Sequence, residues 1–93
     1  MESTYQRKLK KHFEGNGWLV IKIIRATVNG YPDLMLLHPL RPIIFIEVKD
    51  EKGILSKVQE YRIKELQAKG FIAMVTKPSE YKQTIKDVAS THD

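Results

Sequence analysis

Asp33, Glu47 and Lys49 are two carboxylates and an ammonium spaced so that a folded sheet could bring them together. Asp33 closes Gly30-Tyr31-Pro32-Asp33 and opens the apolar run Leu34 to Leu37. Glu47 and Lys49 end a second run that begins Ile43-Ile44-Phe45-Ile46. Side chains in a strand alternate between faces, so Glu47 and Lys49 point one way and Val48 the other. Cleaving a phosphodiester brings a nucleophile to a phosphorus that is already anionic. Mg²⁺ or Mn²⁺ offsets that charge and activates water, and these hard ions take carboxylate and carbonyl oxygens. Asp33 and Glu47 can supply the carboxylates, with the main-chain carbonyl of Val48 as a third ligand. Lys49 can orient the water or stabilise the charge that develops on the phosphate oxygens. Each residue also has an ordinary explanation. A Glu-x-Lys at a strand exit is commonly a solvent-facing pair, and an Asp in a turn often bonds the backbone.

The elements that must position these residues follow from periodicity. Ser3 to Glu14 reads as a helix, with Gln6, Leu9 and Phe13 at i, i+3 and i+7 and Tyr5 beside them. Glu2, four residues before Gln6, continues the same inward face. Gly15-Asn16-Gly17 stops the helix. Trp18 to Ile24 is a β-branched apolar run, hence a strand. Asn29-Gly30 is a turn signal that sends the next strand, Asp33 to Leu37, back antiparallel. His38 to Pro42 reads as a loop, since each proline removes a ladder donor. Ile43 to Lys49 is the third strand. Ser56 opens a helix to about Lys69, with Gly70 as its stop, and Ser56-Lys57-Val58-Gln59 matches a capping box. Phe71 to Val75 is a fourth strand, which a right-handed crossover makes parallel to the third. Pro78 to Ala89 is a last helix. The expected order, α-β-β-β-α-β-α, gives an α/β fold with a central mixed sheet flanked by helices.

The 93 residues make one domain, spanning 1–93. The hydrophobic share of 42% and charged share of 29% suit an ordinary folded domain. There is no cysteine, which excludes disulfides, thiolate zinc sites and cysteine catalysis. Met1-Glu2-Ser3-Thr4 carries no signal-peptide pattern, and the longest apolar region is broken by His38, Pro39, Arg41 and Pro42. A cytoplasmic protein with no membrane span is expected. The net charge of +5 favours a polyanionic partner. No nucleophilic Ser-His pattern or phosphate-cradling glycine loop is present.

These residues resemble a known family. Gly30-x-Pro32-Asp33, Phe45-Ile46-Glu47-Val48-Lys49 and Leu55-Ser56-x-x-Gln59 look like the signature of the VRR-NUC domain, a branch of the PD-(D/E)XK nuclease superfamily. The match extends back to Glu2 and Gln6 and covers most of the chain. The resemblance implies a restriction-endonuclease-like αβββαβ core and a metal-dependent nuclease. It makes Asp33 and Glu47 metal ligands and Lys49 catalytic, places Gln59 at the site and adds Glu2 as a further acidic contributor. Superfamily members generally leave 5′-phosphate and 3′-hydroxyl ends. Small standalone members occur in bacteriophages, and the fold is similar to that of dimeric Holliday-junction resolvases.

Gln59 retains a second explanation, as the N3 partner of Ser56, and Glu2 retains one as a carboxylate favoured by the helix dipole. Tyr31 could stack on a base or cover the site, and Arg25 could face a phosphate. Together the observations predict a Mg²⁺- or Mn²⁺-dependent DNA endonuclease, acting as a homodimer on branched DNA such as Holliday junctions. The alternatives are a non-catalytic nucleic-acid-binding module on the same fold and a small interaction protein whose charge serves solubility.

Overall fold

The computed structural model describes residues 3–91, so the candidate Glu2 lies outside the described residues. The first helix, α1 (Thr4–Glu14), starts where the Ser3 side chain accepts the Gln6 amide at 3.0 Å. Its buried residues are Tyr5, Gln6, Leu9 and Phe13, the stripe expected from their spacing. The chain leaves the helix through Gly17 at φ +89°, with the Trp18 amide bonded back to the Phe13 carbonyl at 3.0 Å. That left-handed exit costs glycine least.

Four strands follow: β1 (Leu19–Lys22), β2 (Leu34–His38), β3 (Arg41–Val48) and β4 (Ile72–Thr76). They lie in the order β1-β2-β3-β4. The first two pairings are antiparallel and β3–β4 is parallel, giving the expected mixed sheet. Between β3 and β4 runs α2 (Lys57–Ala68), which packs on β4, and the chain closes with a 3₁₀ turn (Pro78–Glu80) and α3 (Tyr81–Ala89).

The period-2 pattern divides the sheet. Val20, Leu34, Leu36, Ile44 and Ile46 join Leu9, Phe13 and Val88 in the core between the sheet and α1 with α3. Truncating Phe13 to alanine there would cost about 3–5 kcal/mol. Tyr5 Oη, Thr76 Oγ1 and Thr84 Oγ1 form a buried hydrogen-bond chain of 2.6 and 2.7 Å, tying α1, β4 and α3 together. The opposite face carries α2 over β4, with Phe45 edge-on to Phe71. Beside it Leu19, Ile21 and Ile43 remain exposed.

Three sequence expectations are corrected. The first strand, Leu19–Lys22, is shorter than Trp18 to Ile24, although β2 returns antiparallel to it as expected. Ile23 to Asp33 form a long connection, closed by the Ile23 amide on the Asp33 carbonyl at 2.6 Å. Arg41 and Pro42 belong to β3 and not to a loop; the turn is Pro39-Leu40. Pro42 is tolerated because β4 pairs only from Ile44 onward and the β2–β3 register shifts between Leu36 and His38. The α-helical part of the last element begins at Tyr81, after the 3₁₀ turn that Pro78 opens. Among the described residues no helix is long and apolar enough to cross a membrane.

Candidate active site

Antiparallel pairing places the start of β2 beside the end of β3, which brings Asp33 to Glu47. The β2–β3 ladder runs out at Leu34 and Ile46. One step beyond it the Asp33 side chain takes over the backbone's part, Oδ2 accepting the Val48 amide at 2.9 Å. The amide of Lys49 points the other way, to the Thr76 carbonyl of β4 at 2.9 Å. Val48 thus packs against the core while Glu47 and Lys49 share the α2 face.

Glu47 is buried, only 3% exposed, and a charged carboxylate there needs partners. Lys49 Nζ lies 3.8 Å from its Oε2, and Gln59 Nε2 donates to the same oxygen at 3.3 Å. Burial, and next the nearby Asp33 carboxylate, push the Glu47 carboxyl up to about 7, while Lys49 pulls it down. Burial and a like charge acting together on a carboxyl in this way are common at functional sites.

The Gln59 side chain joins the two explanations that its sequence position left open. Its Oε1 accepts the Ser56 amide at 3.0 Å and the Ser56 hydroxyl accepts the Gln59 amide at 3.2 Å, a complete capping box. Its free Nε2 reaches Glu47. Asp33, Glu47, Lys49 and Gln59 therefore come together, and Glu2 is outside the described residues. Gln6 is buried on the turn of α1 that also carries Tyr5, and its Oε1 has no hydrogen-bond partner among the described residues.

Other polar and aromatic side chains are not part of this group. Arg25 is exposed in the long connection. The His38 ring lies 5.1 Å from Trp18, and that of His12 lies against Phe13 and Tyr81, so both pack at the opposite end of the sheet. Tyr31 neither covers the carboxylates nor stands free, since its hydroxyl donates to Glu65 Oε1 at 2.8 Å. Sequence reasoning did not connect Glu65 or Arg62 with this loop, because a contact across more than thirty residues leaves no local signal.

A mixed sheet crossed by helices, with two carboxylates and a lysine where adjacent strands meet, is a restriction-endonuclease-like core with a PD-(D/E)XK-type arrangement. Neither protein-family models nor curated proteins give a match to the sequence. Solved structures do. One, described as "VRR_NUC domain", superposes with a TM-score of 0.78 at 30% identity, over 91% of this chain and 90% of its own. Another, a "VRR_NUC domain protein", gives a TM-score of 0.60 at 25% identity, over 74% of this chain and 65% of its own. The chain belongs to the VRR-NUC family, whose fold is a nuclease domain.

Proposed function

We propose that this domain is a Mg²⁺- or Mn²⁺-dependent endodeoxyribonuclease that works as a homodimer on branched DNA such as four-way junctions. The observation that carries the reading is the buried Glu47 carboxylate held against Asp33, with Lys49 and Gln59 on the same oxygen. Two carboxylates kept close at a cost in charge repulsion suit a divalent cation, which would favour both ionised forms.

The donor set fits a hard ion. Asp33 and Glu47 offer carboxylate oxygens. In the pleat a residue's N–H and C=O emerge on one side, so the Val48 carbonyl faces the strand edge where Asp33 lies. Among the described residues no group of three or more His, Cys, Asp or Glu surrounds the site. The pair Asp33 and Glu47 suits Mg²⁺, which usually keeps several waters and is held by one or two carboxylates. Bound there, the ion would offset phosphate charge and make water more acidic.

The chain's own residues do the rest. Lys49, next to Glu47, stabilises the negative charge that grows on the phosphate oxygens and helps orient the water. Glu47 in turn keeps the ammonium in place. Attack by water at phosphorus breaks the bond to the 3′ oxygen and leaves 5′-phosphate and 3′-hydroxyl ends. The net charge of +5 supports an anionic substrate. The absence of cysteine suits a reducing cytoplasm. Leu19 and Ile21 are 57% and 37% exposed on the uncovered face of β1, an apolar surface that a second copy would bury. Two active sites related by two-fold symmetry match a junction with two equivalent strands.

The reading is tested by offering four-way junction, flap and linear duplex DNA with Mg²⁺ or Mn²⁺. Symmetric nicks in the junction at lower enzyme concentration than in the duplex are expected. Salt-sensitive binding with no cleavage of any substrate would reject it in favour of a binding module.

A further inference from the structure

We propose that Tyr31, Arg62 and Glu65 form a clamp that fixes the Ile23–Asp33 connection to α2 and so positions the Asp33 carboxylate. Its consequence for cleavage rests on the nuclease reading above; the clamp itself does not. The connection is long, mostly exposed and free of regular structure, yet it ends on a residue that must meet Glu47 closely. Segments of that kind open easily unless something ties them down.

The ties converge on the four residues before Asp33. Asn29 gives its carbonyl to Arg62 Nε at 3.0 Å. Gly30, at φ +94°, lies so near α2 that a Cβ would stand 2.9 Å from the Val58 carbonyl oxygen. The Tyr31 hydroxyl donates to Glu65 Oε1 at 2.8 Å, and its ring lies 5.1 Å from the Arg62 guanidinium carbon. Pro32 is fully buried, and its ring fixes φ one residue before the carboxylate. Arg62 and Glu65 hold each other through contacts of 3.3 and 3.4 Å, one turn apart on the helix.

The same helix reaches Glu47 through Gln59. One rigid element is thus the template for both carboxylates: directly for Glu47, and through Tyr31 for Asp33. Asp33 Oδ2 has its bond to the Val48 amide. If the connection swings away, that bond and the Ile23–Asp33 backbone bond are lost together. Tyr31, Arg62 and Glu65 are positioning residues, since they act on the site through Asp33.

Amide hydrogen exchange of the metal-free protein tests this without any need for activity. Tyr31→Phe and Glu65→Ala are each expected to speed exchange at Val48 and Ile23 about five- to tenfold, the effect of losing one hydrogen bond. Leu36 and Ile44, inside the β2–β3 ladder, should exchange as in wild type. Glu65→Gln keeps an acceptor for Tyr31 and should recover part of the protection. Glu60→Ala, which removes only the exposed pair with Lys64, should change nothing at Val48. In cleavage assays the two clamp variants should need about fivefold more Mn²⁺ for half-maximal rate and approach the wild-type rate at saturation. Wild-type exchange at Val48 and Ile23 in both variants would overturn the clamp, as would a uniform rise across all amides. A wild-type protein that cuts no DNA with any metal would sink the nuclease reading instead, and the exchange data alone would then decide the clamp.

Discussion

Gln59 secures the start of α2 and the Glu47 carboxylate with one side chain, its Oε1 on the Ser56 amide at 3.0 Å and its Nε2 on Glu47 Oε2 at 3.3 Å. The two roles come apart by substitution. Gln59→Ala loses both side-chain contacts, while the Ser56 hydroxyl still accepts the main-chain amide of residue 59; losing that half of the box should cost about 0.5–1 kcal/mol, or roughly 2–8 °C in Tm. Gln59→Glu keeps the box but sets a carboxylate against Glu47. Below about pH 7, where Glu47 holds its proton, the variant's Tm should stay near wild type, while the Glu47 carboxyl rises further in an NMR titration of the metal-free protein. An unchanged Glu47 titration in that variant would count against the contact.

The elevated Glu47 carboxyl has a stability consequence of definite sign. Its value of about 7 in the folded chain lies above the ordinary 4.5, so the folded state holds the proton more tightly than the unfolded one. The contribution is fully present below about 4.5 and is lost as pH rises through about 7. Thermal melts of the metal-free protein should show this decline, and Mg²⁺ or Mn²⁺ should flatten it by favouring the carboxylate. Glu47→Gln removes the buried charge and keeps a partner for Gln59. It should stabilise the metal-free protein above pH 7 by about 1–3 kcal/mol while abolishing cleavage. A destabilised Glu47→Gln at that pH would contradict this assignment of the charge.

Gly30→Ala should be severely disruptive although Gly30 is in a loop. Alanine at φ +94° costs about 1–2 kcal/mol, and its Cβ would press on the Val58 carbonyl, which is backbone and cannot swing aside. A loss of about 2 kcal/mol or more is expected in urea titration. Gly70, also at positive φ, has open space within 4 Å of where a Cβ would stand, so Gly70→Ala should lose only the conformational part. Equal losses at the two positions would mean that Gly30 does not need the close approach.

Much of this was legible in the chain. The stripe Tyr5, Gln6, Leu9 and Phe13 marks the buried face of α1, and period 2 puts Glu47 and Lys49 on one face with Val48 opposite. The capping box at Ser56 and Gln59 is a local pattern and forms as read. The missed features are long-range ones. Asn29-Gly30 reads locally as a turn, yet Gly30 also answers to Val58 on α2. Pro42 looks like a strand breaker, and the break in the β2–β3 register between Leu36 and His38, at a level β4 does not reach, admits it. The Tyr31–Glu65 bond joins residues that nothing in their neighbourhoods relates.

The proposed dimer makes its own prediction. Leu19 and Ile21 project from the uncovered face of β1, an edge strand. Leu19→Glu with Ile21→Glu should convert a dimer to a monomer in light scattering, with the far-UV spectrum kept because neither side chain is in the core. Cleavage of a four-way junction should then lose the pairing of its two nicks. A double variant that stays dimeric would move the interface elsewhere.

Cleavage of a labelled four-way junction by wild type and by Asp33→Asn, each with Mg²⁺ and with EDTA, bears most directly on the central claim. Wild type should cut only with the metal, and Asp33→Asn should lose about a hundred- to a thousandfold in rate, the scale of removing a principal electrostatic element of a site. Cutting that persists in EDTA, or equal cutting by Asp33→Asn, would contradict the proposed metal-dependent mechanism.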